Sequence, residues 1–142
     1  MNIKFKLIDP EAELPKKMSE NAAGYDVYAN NKNIIVLEPL QRCLVPTGFA
    51  LQLPNNVEAQ IRSRSGLALK RGISVLNSPG TIDPDYRGEV KVLLVNLSDE
   101  VFIVYHGLRI AQLVFSEFVN VDFEIVEELD ETGRADYGFG ST

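Results

Sequence analysis

A chain of 142 residues with a formal net charge of −6 has the length of one domain and can bury a core without covalent staples. Its one cysteine, Cys43, excludes an internal disulfide and suits a reducing compartment. The acidic balance argues against non-specific nucleic-acid binding, and no apolar run approaches the ~20 residues of a membrane span or opens the chain as a signal peptide. The expectation is a cytoplasmic protein that engages neither nucleic acid nor membrane.

In chain order the sequence reads as many short strands. Ile3, Phe5 and Leu7 alternate with Lys4 and Lys6, the period of a half-buried strand, and Tyr25, Val27 and Ala29 alternate with Asp26 and Tyr28. Residues 34–37 form a short apolar run. Phe49, Leu51 and Leu53 alternate, as do Val57, Ala59 and Ile61. One helix is expected over Gly66 to Arg71, capped by Ser63 or Ser65 and ended by Gly72. Strands follow over 90–95, 101–104, 109–115 and 121–126. Proline and glycine punctuate these runs at the spacing of a sandwich or barrel, with no repeat and no internal domain boundary. From Glu127 onward acids are frequent and apolar residues sparse, and the end carries Phe139 between Gly138 and Gly140. Such a segment cannot bury enough apolar surface to order itself, so it is either a frayed terminus or an arm that orders over a ligand.

Basic residues are concentrated: Arg62, Arg64, Lys70 and Arg71 lie within ten residues that hold no acid. At Arg62-Ser63-Arg64-Ser65-Gly66, free N–H groups at a helix start, hydroxyls and guanidinium groups can make an anion site, although a capped helix with solvated arginines is the ordinary reading. The turn-rich stretch 77–88 gathers Asn77, Asp83, Asp85 and Tyr86. There an Asp beside a Pro most often makes a turn, and the alternative is a carboxylate holding an attacking water beside an aromatic platform. Gln112 is expected on one strand face with Ile110 and Val114, where a buried amide needs partners. His106 stands alone before Gly107, where a turn is expected, and the chain has no Cys/His cluster, which argues against a zinc site.

Taken in order, these segments resemble the five motifs of the trimeric dUTPases. Residues 23–29, Ala-Gly-Tyr-Asp-Val-Tyr-Ala, are similar to the first; Arg64-Ser65-Gly66-Leu67 to the second; and Gly80-Thr81-Ile82-Asp83-Pro84-Asp85-Tyr86-Arg87-Gly88, the most specific, to the third. Arg109-Ile110-Ala111-Gln112-Leu113 is similar to the fourth, and Arg134 through Thr142 to the fifth. The resemblance implies an all-β single domain, a distorted jelly-roll or sandwich over residues 1–126 with one short helix, and a flexible arm over 127–142. It implies a homotrimer with sites at subunit interfaces that cuts dUTP to dUMP and pyrophosphate with Mg²⁺.

Residue by residue, the resemblance implies that Asp83 activates the water attacking the α-phosphorus and that Tyr86 packs under the deoxyribose. Asn77 and the backbone of Gly80, Thr81 and Ile82 would read uracil. Arg64, Ser65, Gly66 and Gln112 would contact phosphate, and Asp26 would hold Mg²⁺ through water. Arg134, Ser141 and Thr142 would grip the γ-phosphate while Phe139 stacks on the uracil, with Gly140 among the arm's substrate-binding residues. Two departures stand in the fifth motif, where Ala135 and Tyr137 replace glycines usual in the family, which implies a stiffer arm. Ser63 replaces a proline common before the second motif and is expected to matter little.

Two other readings compete. A dCTP deaminase of the same fold shares Ile82-Asp83-Pro84 but needs a catalytic glutamate further along, where this chain has Leu93, which cannot carry a proton. A non-catalytic trimeric β-domain should show decay at Asp83, Ser65 or Gln112, and none is seen.

Overall fold

The computed structural model describes residues 1–140. Eleven strands and one helix follow in chain order: β1 (Lys4–Leu7), β2 (Tyr25–Tyr28), β3 (Ile35–Leu37), β4 (Arg42–Pro46), β5 (Phe49–Gln52), β6 (Val57–Arg62), α1 (Ser65–Arg71), β7 (Ile73–Val75), β8 (Gly80–Ile82), β9 (Lys91–Asn96), β10 (Phe102–Val104) and β11 (Arg109–Glu117). All pairings are antiparallel. A four-stranded sheet, β2-β11-β6-β8, and a three-stranded sheet, β4-β9-β7, are joined by the pairs β1-β5 and β10-β3. The all-β expectation with a single short helix therefore holds among the described residues, as does the sandwich rather than a closed barrel.

The core follows from alternation. Val57, Ala59 and Ile61 are buried on one side of β6, while Glu58, Gln60 and Arg62 face outward. Ala59 and Ile61 meet Val27, Phe49, Val92, Leu94, Ile110 and Leu113 in one cluster. No described helix is long and apolar enough to cross a membrane.

Three local expectations are corrected. The helix starts one residue earlier than expected, and Arg64, not a serine, stands at its N-cap with no side-chain cap bond. Ser63 is unavailable as a cap because its hydroxyl meets Ser74 Oγ at 2.9 Å and accepts from Val75 N–H at 2.9 Å. The expected stop holds: Gly72 takes a left-handed φ of 63°, and its N–H satisfies the carbonyls of Ala68 and Leu67.

Gln112 does not share a face with Ile110. The pairing of β11 with β2 shifts register between Arg109 and Ala111, so Ile110 and Ala111 are both buried and Gln112 falls on the half-buried side with Val114.

The strand expected over 121–126 is not formed. Phe118 N–H still donates to Asn56 O, but past it no described residue joins a strand. Phe123 and Ile125 are 93% and 98% exposed. The alternation is strand-like, but a strand needs a neighbour to pair with, and the body of one chain offers none here. Strands β4, β7 and β8 were not expected. Each is short, and β7 and β8 sit among the turn residues that dominate the local pattern.

Candidate functional site

The sheet order lines up the first and fourth motifs with the strand that leads into the second. Asp26 on β2 lies opposite Gln112 on β11, and Gln112 lies opposite Arg62 on β6, forming one row across the sheet. Asp26 is buried, and its Oδ2 accepts from Arg109 Nη1 at 3.1 Å and lies 3.3 Å from Arg64 Nη2. A carboxylate this deep is tolerated because two guanidinium groups offset its charge. Arg64 is further tied by Nη1 donating to Arg109 O at 2.9 Å. It is therefore turned back onto the row, leaving the serine and glycine after it to present the outer surface.

Ser65 and Gly66 are exposed at the start of α1, and a Cβ on Gly66 would meet nothing within 4 Å. Their backbone faces open space in which an anion can approach. Gln112 Nε2 donates to Ser63 O at 2.9 Å, which fixes the carbonyl just before this turn. The amide has room because residue 24 is glycine: a Cβ there would lie 2.2 Å from Gln112 Oε1. Gly24→Ala is expected to push the amide aside and to weaken anion binding at the turn by about 10-fold, checked by titration with inorganic pyrophosphate.

The third motif sits apart. Gly80, Thr81 and Ile82 form β8, with Gly80 and Ile82 buried and Thr81 outward. Asn77 is exposed at the hairpin and packs over Gly80, its Nδ2 3.1 Å from where a Cβ would stand. Asp83 and Tyr86 line a cleft of about 290 Å³ with Leu44, Thr81 and Lys91. Tyr86 N–H donates to Asp83 O at 3.2 Å and Tyr86 Oη donates to Glu89 O at 3.1 Å, so ring and carboxylate are set by one turn. A roomier cavity of about 560 Å³ lies elsewhere, among Ile3, Phe5, Tyr25 and Phe115. Its lining is mainly apolar, with Lys17, and includes no acid.

One chain does not bring Asp83 to the Asp26 row. The register of β8 on β6 runs Gly80 to Ile61, Thr81 to Gln60 and Ile82 to Ala59. Asp83, next in line, is level with Glu58, four positions from Arg62, or about 13 Å at ~3.3 Å per residue. Residues 127–140 hydrogen-bond to neither group. Among the described residues the arm's hydrogen bonds run within it, as from Arg134 Nε to Tyr137 O at 2.9 Å, and Phe139 is fully exposed. Ala135 has a φ of 47°, the left-handed conformation that glycine adopts without strain. Gly140 ends the described chain; Ser141 and Thr142 lie outside the described residues.

Sequence reasoning passed over two participants. Arg109, the second partner of Asp26, opens the fourth motif and could have been found there. Ser63 could not, because its partners lie 11 and 12 residues away across α1. Burial pushes the Cys43 thiol up from its ordinary value, so it is no ready thiolate nucleophile.

A family model described as dUTPase matches residues 10–142. The chain is 59% identical over 129 residues to the deoxyuridine 5'-triphosphate nucleotidohydrolase of Cytophaga hutchinsonii, covering 91% of this chain and 84% of that protein. It is 50% identical over 141 residues to the protein of the same name from Fusobacterium nucleatum, covering 99% and 97%. Among solved structures it resembles the dUTPase of Staphylococcus bacteriophage 80alpha, solved with dUPNHPP, at 25% identity and a TM-score of 0.89, covering 99% and 98%.

Proposed function

We propose that this chain, which belongs to the dUTPase family and hydrolyses dUTP to dUMP and pyrophosphate, does so with Asp83 as the group that holds and deprotonates the attacking water. The observation that carries this assignment is the cleft in which the Asp83 carboxylate and the Tyr86 ring are set by one turn. A free aspartate has a pKa of about 3.9 and is a weak base, so orientation must supply much of its effect. The water oxygen bonds to the α-phosphorus, the bond to the bridging oxygen breaks, pyrophosphate leaves, and the water's proton passes to Asp83. Tyr86 packs under the sugar and leaves no room for a 2′-hydroxyl. Asn77 and the backbone of Gly80, Thr81 and Ile82 read the base. Ser65, Gly66 and Gln112 hold phosphate, with Arg64 beside them, tied back to Asp26 and Arg109.

The ion is taken to arrive with the nucleotide. No group of three His, Cys, Asp or Glu side chains could hold a metal among the described residues, and two guanidinium groups occupy Oδ2 of Asp26. That donor set fits Mg²⁺ already carried by phosphate and water, for which one outer carboxylate, Asp26, is enough. When bound, Mg²⁺ supplies neutralisation of charge developing on the leaving pyrophosphate.

The protein works as a homotrimer, and its sites are taken to be shared between subunits. Two observations support the sharing: the ~13 Å that separates Asp83 from the phosphate-side row within one chain, and the exposed, strand-like residues 119–125, which require a surface that one chain lacks. Residues 127–142 are the arm that completes the site, with Arg134, Ser141 and Thr142 on the γ-phosphate and Phe139 on the base. Its lone cysteine supports a reducing, cytoplasmic setting. The deaminase alternative finds Leu93 on β9 where a proton carrier would be needed. The test is pyrophosphate release from dUTP with and without Mg²⁺, beside ammonia release from dCTP; ammonia without pyrophosphate would overturn the reading.

Ordering the arm costs roughly 1–2 kcal/mol per residue, and stacking by Phe139 returns only about 1–3 kcal/mol, so Arg134 must contribute through phosphate. Deleting residues 134–142 is therefore expected to lower turnover by about 10²-fold while the trimer and its melting temperature hold. Size-exclusion chromatography showing a dissociated trimer would make the arm structural instead.

A further inference from the structure

Ser63 has no part in the family resemblance, yet it makes more cross-element contacts than the motif residues beside it. Its carbonyl accepts from Gln112 Nε2, its hydroxyl meets Ser74 Oγ, and the same hydroxyl accepts the N–H of Val75, each at 2.9 Å. The Val75 bond is the consequential one. Leu76 donates to Leu93 across β9, and N–H groups alternate along a strand, so the Val75 N–H points away from β9. Val75 is only 2% exposed, and water is a poor substitute for the lost acceptor there. Ser63 Oγ stands in for a missing neighbouring strand. The contacts continue: Ser78 Oγ donates to Val75 O, one residue after Asn77 and two before Gly80.

We propose that Ser63 is a positioning residue that holds the phosphate turn, Arg64 to Gly66, and the base-reading hairpin, Asn77 to Gly80, in fixed relation to each other. The geometry is a clasp. Ser63 leaves the end of β6, α1 runs out and back, and the clasp closes on Ser74 and Val75. The backbone N–H groups of Ser65 and Gly66 start two residues after Ser63, and the hairpin starts two residues beyond Val75. A hydroxyl at position 63 therefore sets both ends of the nucleotide-recognition surface that one chain contributes, while touching no substrate itself. The inference rests on the assignment of turn and hairpin made above.

The test uses the full chain as Ser63→Ala and Ser63→Thr, with kcat and KM measured for dUTP and dCTP and the melting temperature and oligomer size followed in parallel. Ser63→Ala is expected to raise KM for dUTP about fivefold to tenfold and to lower the dUTP-over-dCTP ratio of kcat/KM by a similar factor, with kcat within about twofold. Ser63→Thr, which keeps the hydroxyl, is expected to restore both. A lower melting temperature with KM and the ratio unchanged would overturn the proposal, because Ser63 would then only pack the loop; so would no change at all. Should Ser63→Ala fail to fold, Ser74→Ala removes one contact and keeps the Val75 bond. It is expected to raise KM about threefold, and an unchanged KM would overturn the proposal equally. Failure of the unmodified protein to hydrolyse dUTP would defeat the site assignment itself, a different result from active protein indifferent to position 63.

Discussion

Asp83→Asn is expected to lower kcat for dUTP by about 10²–10⁴, with KM nearly unchanged. The substitution keeps the size and one acceptor oxygen, so the water can still be bound. It removes the group proposed to take the proton as the oxygen attacks. Asp83 is exposed and forms no ion pair among the described residues, so its loss leaves no buried charge behind. The melting temperature should therefore hold, and the kinetic loss can be read as chemistry rather than unfolding. Single-turnover measurement would separate the chemical step from product release. Near-normal turnover in this variant would remove Asp83 from the mechanism.

The second large effect is discrimination between bases. The unmodified protein is expected to prefer dUTP over dCTP by about 10⁴–10⁵ in kcat/KM. The hairpin offers the Asn77 amide and the backbone of a short strand whose alternate residues, Gly80 and Ile82, are locked into the core. A reader built on strand backbone cannot rotate to suit another base. A cytosine amino group would face donors where uracil presents an acceptor, and the mismatched groups would be left unpaired on closure. Thymine differs by a methyl alone, and crowding is worth less, about 10–200-fold for one methylene-sized group. Rejection of dTTP should therefore be weaker than rejection of dCTP. Comparable kcat/KM for dUTP and dCTP would contradict the role given to the hairpin.

Much of this was legible in the residues themselves. The period-two alternation of Val57, Ala59 and Ile61 forecast both a strand and its buried side, since side chains alternate across a strand whatever the partner. Gly72 marked the helix end, because few other residues accept a left-handed turn there. The motif segments marked the family by residue type and order. The same local logic erred over 121–126, where the alternation is present but pairing is a property of two strands and not of one.

What only the tertiary structure decided is which groups meet. No local pattern reveals that Asp26 is shared by Arg64 and Arg109, that Gly24 makes way for the Gln112 amide, or that a serine before the helix closes on Val75. These contacts join residues 12 to 88 positions apart in the chain. Secondary structure arises from backbone sterics and side-chain period, which are local and so readable. A site arises from the lateral register of strands β2, β11, β6 and β8, which is set by the packing of the whole core. For that reason the sequence determined the kind of chemistry this protein carries, and the fold alone decided that Asp83 falls about 13 Å along the sheet from the row of Asp26, Gln112 and Arg62.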